Sequence, residues 1–443
     1  MDKNERIMNC WQILHSDFSA NEVLTNMFSH ISHTTIDTFV NELCQYKSSN
    51  KHNIEIADLI EQFHTKAGSL SEDICSRIHE LRGGANIILM AHQPNIFPTI
   101  AIIEPIFYLV ESCKLAQERT GRRYVPVFMF VDYDVADDKR FYKCAIPIIS
   151  KPYTKHIRLS IPHSTRNDVM FNIERPPLKV VESWIEEIRV AAKQFTKNSC
   201  YSSSLNDHFQ EVRTLILKCH SNAKNFSEFN EFILDAIVNH FWNMSVLFYE
   251  GHTQYLLIGK EFVDLINSQV NVNRLFNEAL DILNKEKISV SMRPRQLTAN
   301  RIWHYQTECK RRCYGLCDSC DNLSVPKTQP GYKLPDVICD NILDHLYIGK
   351  AGAVGYYKQA EHVVVSNYVQ STMFADSVCP QLLIDSNGIA INRLRSDAET
   401  FFSAEYIEAF QDRQNSTIFF CACVGFEKLK ETIKTMLFGS NHS

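Results

Sequence analysis

Two apolar runs early in the chain predict strands that are buried on both faces. Residues 87–90 and 125–131 lack the polar alternation of a half-exposed strand, as expected in a parallel sheet that is covered on both sides. Between them, Pro98 suits the first turn of a helix that runs to about Arg119. A strand, a helix and a second strand in this order predict a βαβ unit.

Helical periodicity is the main pattern on either side of this unit. Residues 1–82 carry apolar positions at three- and four-residue spacing, which predicts a helical N-terminal segment. The same spacing predicts a helical insertion at about 176–250, with helices at 180–195, 205–219 and 226–248. Further strands are expected at 144–149, 156–161 and 255–258, and a helix is expected within the C-terminal residues 425–443.

These elements define an α/β chain with the composition of a globular protein. It has 443 residues, of which 45% are hydrophobic and 22% are charged. A formal net charge of −5 argues against a general attraction to nucleic acid or acidic membranes. Without a signal peptide or an apolar run near the roughly 18 residues of a membrane span, we expect a cytoplasmic protein with no membrane partner. Fifteen cysteines in such a chain favour reduced thiols or a metal site.

Polar residues follow the first strand of the predicted unit, at the end where open α/β sheets bind their ligands. These residues are His92, Gln93 and Asn95. Beside a helix N-terminus they suit a phosphate, and His92 could stabilise charge that develops on a transferred phosphate or an acyl adenylate. The alternative is that they only cap the helix.

Acidic residues follow the second strand. Asp132 and Asp134 come directly after it, where carboxylates can hold Mg²⁺, bind a substrate amine or act as a base. The alternative is a solvated loop, which we favour for the more distant Asp137 and Asp138.

Two later segments carry candidate phosphate ligands. Gly349, Lys350 and Gly352 lie between a predicted strand and a helix, where small residues let backbone N–H groups approach a phosphate. Arg293 and Arg295 suit a bidentate clamp on a carboxylate or a phosphate. The alternatives are a tight turn for the glycines and a surface position for the arginines.

A cysteine-rich loop is predicted at about 303–334. Four thiols within twelve residues suit a tetrahedral structural zinc ion, namely Cys309, Cys313, Cys317 and Cys320. His304 and Cys339 are further candidate ligands. The last three cysteines of the four also fit the CxxxCxxC spacing of radical-SAM enzymes, and free cysteines are the remaining alternative.

Four motifs, in the same order, resemble the cysteine-adding enzyme family of bacillithiol biosynthesis. The family's HQxNxF form matches four residues, His92, Gln93, Asn95 and Phe97. Its VPVFW-type strand is similar to residues 125–129, and its LRP-type segment is similar to residues 292–294. Its YVGGPGE-x-x-Y turn is similar to residues 347–356, which end at Tyr356.

The chain departs from this family in several places. Asp132 and Asp134 are what is left of an acidic, histidine-containing cluster after the second strand. Lys350 and Ala353 stand where the late turn of the family has a glycine and a glutamate. The cysteine-rich loop is an addition, and the long coiled coil of the family is shortened or missing.

The resemblance implies a Rossmann-like, nucleotidyltransferase-type parallel-sheet core over residues 83–424, which binds ATP or another adenine nucleotide. It implies a ligase that joins an amino acid, cysteine in the family, to a small amine such as an amino-sugar conjugate, and it suggests a homodimer. In this interpretation His92, Asp132 and Asp134 are catalytic. The nucleotide or substrate is bound by Gln93, Asn95, Arg293, Arg295, Gly349, Lys350, Gly352 and Tyr356.

Other functions stay open. The basic run Lys310-Arg311-Arg312 favours a nucleotidylyltransferase, or an amide-forming enzyme that takes its amino acid from an aminoacyl-tRNA. The reduced acidic cluster after the second strand favours a catalytically inactive descendant that only binds a ligand. For the ligase itself, ATP and a preactivated amino-acid donor are alternative driving forces.

Overall fold

The structure of the chain, a computed structural model, describes it in several ranges. These are residues 53–132, 143–146, 155–159, 169–195, 199–254, 303–306, 311–314, 337–339 and 425–438, with the single positions 277, 281, 285 and 419. The predictions for residues 1–52 and for a strand at 255–258 lie outside the described residues.

The described elements are a mixture of helices and strands. The first part of the chain contains α1 (Asn53–Ala67), α2 (Glu72–Arg82), β1 (Asn86–His92), α3 (Ile100–Thr120), β2 (Tyr124–Phe130), β3 (Lys143–Ile146) and β4 (Lys155–Arg158). A 3₁₀ turn (Met170–Asn172) precedes α4 (Leu178–Phe195), α5 (Ser199–Asn222) and α6 (Phe226–Asp235), which a π-helical turn (Ala236–Phe241) extends. The remaining elements are β5 (Leu247–Glu250), α7 (Gly251–Gln254), β6 (Trp303–Gln306), β7 (Arg311–Tyr314), β8 (Val337–Cys339) and α8 (Phe426–Phe438).

A parallel three-stranded sheet, in the order β1-β2-β5, forms the centre of this mixed α/β fold. β1 and β2 end together at the pair His92↔Phe130, and Phe130 is also paired with Glu250 at the end of β5. The three strands therefore end at one edge, which we call the carboxyl edge. The predicted βαβ unit is confirmed, with α3 packed against β1 and β2.

The sheet is held by a core of aromatic side chains. Every residue of β2 is buried, as its unbroken apolar pattern predicted. Phe128 and Phe130 of β2 pack against Phe248 of β5, with ring centroids 5.4 and 5.5 Å away. Phe63 of α1 joins them, 5.7 Å from Phe130. Since burying one such ring contributes about 1.5–3 kcal/mol, this cluster fixes α1 on the sheet.

Helix α3 begins two residues later than the sequence predicted. Its N-cap is Thr99, which has extended backbone angles (φ −105°, ψ 163°), and the first helical residue is Ile100 rather than Pro98. The helix ends where Gly121 adopts a left-handed conformation (φ 66°), which favours glycine. Asn95 lies well before this N-cap, so the alternative that Asn95 caps the helix is wrong.

The predicted helix at 226–248 is wrong in its last part. The described α6 ends at Asp235, and the chain turns after Phe241 and returns to the sheet as β5. Asn239 closes this turn, because its side chain accepts from Val246 N (2.9 Å) and donates to Val246 O (2.8 Å). The third strand of the sheet thus lies inside the range 176–250 that was predicted to be a helical insertion.

Two small antiparallel sheets accompany the parallel one. β3 pairs with β4, close to the strands predicted at 144–149 and 156–161. β6 pairs with β7 and with β8 in the predicted cysteine-rich loop. In this second sheet, His304 is the register partner of Cys313, and Trp303 is the register partner of Cys339.

The C-terminal helix α8 packs into the same core. The buried Trp242, just after the π-helical turn, donates from its indole Nε1 to the carbonyl of Phe426 at the start of α8 (2.8 Å). The ring of Trp242 also lies 5.6 Å from that of Phe107 on α3. Among the helices that the structure describes, none is long and apolar enough to cross a membrane.

The Trp242→Phe variant is expected to destabilise the fold by about 2–4 kcal/mol. It shrinks a buried ring and removes the hydrogen bond to the Phe426 carbonyl, and such a bond contributes about 0.5–1.5 kcal/mol by itself. Urea unfolding followed by circular dichroism measures the change.

Trp184→Phe is the matched control, since it removes the same ring atoms from a buried position of α4. Within the described residues, no hydrogen bond to the indole nitrogen of Trp184 is found. Its destabilisation should therefore be smaller by about the cost of the lost hydrogen bond. Equal losses in the two variants would contradict a role for the bond to Phe426.

Candidate functional site

The loop after β1 brings the first group of predicted residues to the carboxyl edge. His92 is the last residue of β1, and its carbonyl accepts from Val131 N (2.9 Å), which joins the loops after β1 and β2. Its ring Nδ1 donates to the carbonyl of Gln93 (2.9 Å). The proton of the neutral imidazole is therefore on Nδ1. Asn95 is buried in the same loop.

Phe97 fixes the end of this loop. It has a left-handed backbone conformation (φ 57°), which costs roughly 1–2 kcal/mol for a residue with a Cβ. Its N–H donates to the side-chain oxygen of the buried Asn230 on α6 (2.9 Å). Its ring lies 5.9 Å from Trp184 and 5.0 Å from Phe419. The distant parts of the chain thus hold the loop in a conformation that it would not adopt alone.

A buried aspartate and a histidine form a pair beyond β2 and β5. Asp132 is fully buried, and its Oδ1 accepts from the backbone N–H of His252 (2.9 Å). Its Oδ2 accepts from His252 Nδ1. The ring of His252 stacks on Phe171 at 4.5 Å, and Phe171 N in turn donates to the Asp132 carbonyl (3.0 Å). The imidazole is held in one orientation and one tautomer.

The outer nitrogen of this histidine, Nε2, is the ring atom that Asp132 does not contact. The side chain of His252 is 25% exposed, and in the described ranges no hydrogen bond to its Nε2 is found. Burial opposes protonation of the ring, but the attraction and hydrogen bond of Asp132, together with Glu250, outweigh it. The pKa of His252 therefore lies above its ordinary value of 6.5.

Lys66 of α1 reaches the same edge. Its Nζ donates to Glu250 Oε2 (2.6 Å) and lies 3.9 Å from Glu228 Oε1. Burial works against the charge of Lys66, but the two carboxylates and Glu231 more than compensate and raise its pKa. Burial raises the pKa of Glu250, and His252 and Lys66 oppose this only in part. The lysine therefore stabilises a carboxylate that burial destabilises.

Glu231 of α6 lies at the back of this group. It is fully buried, and among the described residues neither of its carboxyl oxygens has a hydrogen-bond partner. Burial raises its pKa well above the ordinary value of 4.5, and the charges of Asp132, Glu250 and Glu228 act in the same direction. Since an unpaired buried carboxylate is costly, the neutral acid is the favoured form. We call Lys66, Asp132, Glu231, Glu250 and His252 the carboxyl-edge cluster.

The structure brings some of the predicted site residues together and does not describe others. His92, Gln93, Asn95 and Asp132 lie in the loops after the two adjacent strands β1 and β2. Asp134 is outside the described residues, as are Arg293, Arg295, Gly349, Lys350, Gly352 and Tyr356. Their roles stay predictions.

The sequence analysis missed the histidine and the glutamates of the cluster. Glu250 and His252 follow an apolar run at 246–249, a strand signal that was absorbed into a predicted helix. Glu231 lies on α6, every residue of which is buried, and a charged residue in a phenylalanine-rich segment was the available sign. Recognition of β5 would have identified Glu250 and His252 as residues at a strand end.

The described residues do not test the predicted metal sites. In the described part of the chain, no group of three or more His, Cys, Asp and Glu residues is arranged to hold a metal ion. Cys309, Cys317 and Cys320 lie outside that part, and only the backbone of Cys313 is described. Cys75, Cys113, Cys144 and Cys219 are free thiols.

Comparison with known proteins gives no relative for this chain. No protein-family model matches it, and no curated protein matches it significantly. The resemblance of its motifs to the cysteine-adding enzymes therefore stays a prediction. The evidence on the function of this chain is therefore its residues and their geometry.

The Glu231→Gln variant is expected to stabilise the protein at neutral and alkaline pH. The folded pKa of Glu231 lies above its unfolded value, so the wild type keeps its full stability below about pH 4.5 and loses stability as the pH rises toward the folded pKa. Glutamine has no such proton to lose. Urea unfolding at about pH 4.5 should show a small difference, and at about pH 8 a gain of about 1–3 kcal/mol.

Glu118→Gln provides the control, because Glu118 is an exposed glutamate on α3. It makes the same change of charge and should alter the stability equally little at both pH values. A Glu231→Gln variant whose stability follows the wild type at every pH would show that Glu231 is not a destabilised buried acid.

Proposed function

We propose that the chain is an enzyme that forms an amide bond between an activated amino acid, cysteine being the first candidate, and the amine of a small molecule. The observation that carries this proposal is the Asp132–His252 pair at the carboxyl edge of the parallel sheet. It offers an oriented nitrogen base at the edge where open α/β sheets bind ligands. The order of the four sequence motifs supports the same reaction class.

The charges at this edge suit an amine substrate. Asp132 and Glu250 are buried acidic side chains that interact with His252, and Lys66 offsets their charge in part. Negative charge at this edge attracts an ammonium group toward the exposed side of His252. An ammonium ion is not a nucleophile, so the site also needs a base that removes its proton.

His252 Nε2 is suited to be that base. Its proton-bearing Nδ1 is occupied by Asp132, and the carboxylate stabilises the imidazolium that forms when Nε2 takes up a proton. In the reaction that we propose, the amine nitrogen bonds to the acyl carbon of the activated amino acid. The bond from that carbon to its activating group breaks. Nε2 takes the proton whose loss turns the ammonium group into an amine, and the second proton leaves with the activating group or passes to water.

His92 suits the complementary task of stabilising negative charge. It lies at the end of the neighbouring strand β1, where the cationic imidazole, whose Nδ1 donates to Gln93, can donate from Nε2 to the oxygen on which charge develops. We further propose that the sheet belongs to a Rossmann-like core that binds an adenine nucleotide with Gln93 and Asn95. Cys309, Cys313, Cys317 and Cys320 would hold a structural zinc away from the chemistry, because four thiolates leave no open position.

A direct assay tests the reaction. The protein is incubated with ATP, Mg²⁺, a mixture of amino acids and an amino-sugar conjugate, and the amide product is sought by mass spectrometry. A parallel assay replaces ATP by aminoacyl-tRNA, and sensitivity of that activity to RNase identifies the tRNA-dependent alternative. Absence of any amide product from both donors would overturn the proposed function and favour a ligand-binding role.

The His252→Gln variant is expected to lower kcat by about 10²–10⁴-fold, because a general base typically contributes that much. Its KM for the amine should change less than kcat, since the acidic side chains that attract the ammonium group remain. His79→Gln is the control, because His79 is exposed in the last turn of α2. Equal activity of the two variants would exclude His252 as the base.

The Asp132→Asn variant should shift the pH dependence of the rate. Asp132 contributes to raising the pKa of His252, and a base works only when it is deprotonated. The rising limb of the wild-type pH–rate profile should therefore lie above about pH 6.5 and move to lower pH in the variant.

The control for this shift is Asp58→Asn, which removes an exposed carboxylate that pairs with Arg82 on the surface. This variant should keep the wild-type profile. A rising limb that stays in place in Asp132→Asn would show that another group titrates.

A further inference from the structure

A second concave site lies between α5, the π-helical turn and the loop between α1 and α2. It encloses about 750 Å³, within the usual range of small-molecule pockets. One face of α5 forms a polar wall with Asp207, Glu211, Thr214 and Lys218. Apolar contacts come from Leu70, Leu215, Phe232 and Phe241. We call this cavity the α5 groove.

The lining of the α5 groove includes a buried charge without a cationic partner. Asp235, at the end of α6, lines the groove and is only 1% exposed. Its Oδ1 accepts from the side-chain amide of Asn239 (2.8 Å). Where the chain is described, Asp235 has no ion pair with a lysine or an arginine. Lys218 is exposed on the polar wall.

The nearby histidine does not supply the missing positive charge. His64 Nδ1 lies 3.5 Å from Asp235 Oδ1. Its Nε2 accepts from the backbone N–H of Phe248 (3.1 Å), so Nε2 carries no proton. Nδ1 donates to the hydroxyl of Ser69 (2.8 Å). Burial lowers the pKa of His64 more than Asp235 raises it, so the ring is neutral.

The local backbone adds negative potential and an unusual geometry. Asp235 is followed by the π-helical turn, whose carbonyl end is the negative end of the helix dipole. π-Helical turns are rare and occur frequently at functional sites. Asn243, which also lines the groove, has a left-handed conformation (φ 48°), and such conformations cluster at ligand sites.

We propose that the α5 groove binds a small organic cation whose primary ammonium group pairs with the carboxylate of Asp235. The ammonium group supplies the counter-charge that the buried carboxylate lacks. The apolar side chains accommodate the carbon skeleton of the ligand, and the polar face of α5 contacts its outer part. This site is separate from the carboxyl-edge cluster and does not depend on the proposed ligase reaction.

Binding of defined amines to the whole chain tests this proposal. The probes are ethanolamine, putrescine and benzylamine, each compared with the hydroxyl compound of the same skeleton: ethylene glycol, butanediol and benzyl alcohol. Thermal shift and isothermal titration calorimetry measure the binding. At least one amine should bind about tenfold or more tightly than its hydroxyl counterpart, because a buried charge pair distinguishes them. If no amine binds better than its counterpart, the proposal is wrong.

Three variants locate the bound amine. Asp235→Asn should abolish the preference for the amine, and Thr214→Trp, which fills the groove from its exposed wall, should abolish binding in a protein with an unchanged circular dichroism spectrum. Glu118→Gln makes the same charge change as Asp235→Asn, but on α3 outside the groove, and should leave binding intact. Amine binding that survives Thr214→Trp would overturn the assignment, and this test holds even if Asp235→Asn does not fold. Because it measures binding alone, a failure here is separate from a failure of the ligase assay.

Discussion

The parallel pairing of β2 with both β1 and β5 is the constraint on which the candidate chemistry depends. Parallel strands end at the same edge, so His92, Phe130 and Glu250 are brought side by side although they are distant in sequence. The residues that follow, Asp132 and His252, then meet without any further adaptation of the backbone. The unbroken apolar runs of these strands and the aromatic cluster around Phe63 and Phe248 provide the stabilising free energy for this arrangement.

Buried acidic side chains are concentrated along α6. Glu228 and Glu231 interact electrostatically with Lys66 and Glu250, whereas Asp235 lines the α5 groove. Proteins seldom bury so many ionisable groups on one helix, since each loses hydration that the interior does not fully replace. Perturbed groups of this kind cluster at functional sites. The acidic side chains along α6 therefore fit the two proposed sites, one on the carboxyl edge and one in the α5 groove.

The elements that could be predicted from the sequence are those whose local pattern of apolar residues agrees with the fold. β1, α3 and β2 were predicted from two continuous apolar runs and from the proline near the start of the helix between them, all of which are local signals. Asp132 was found because it follows such a run. β5 was not predicted, because an apolar helix and an apolar strand look alike over 226–249. What separates them is the side chain of Asn239, which closes a turn onto Val246. His252 and Glu231 belong to a cluster that is assembled through such a contact, so the sequence around each of them does not reveal it.

The left-handed conformation of Phe97 bears on how the protein can unfold. Glycine would adopt this conformation freely, but it would leave empty the space between Trp184, Phe229 and Phe419. The loop after the first strand therefore stays in place only while residues more than three hundred positions later remain packed against it. The beginning and the end of the described core thus belong to a single cooperative unit. If the segment around Phe419 opened locally, the loop after β1 at the carboxyl edge would lose its support even while the elements between them stayed folded.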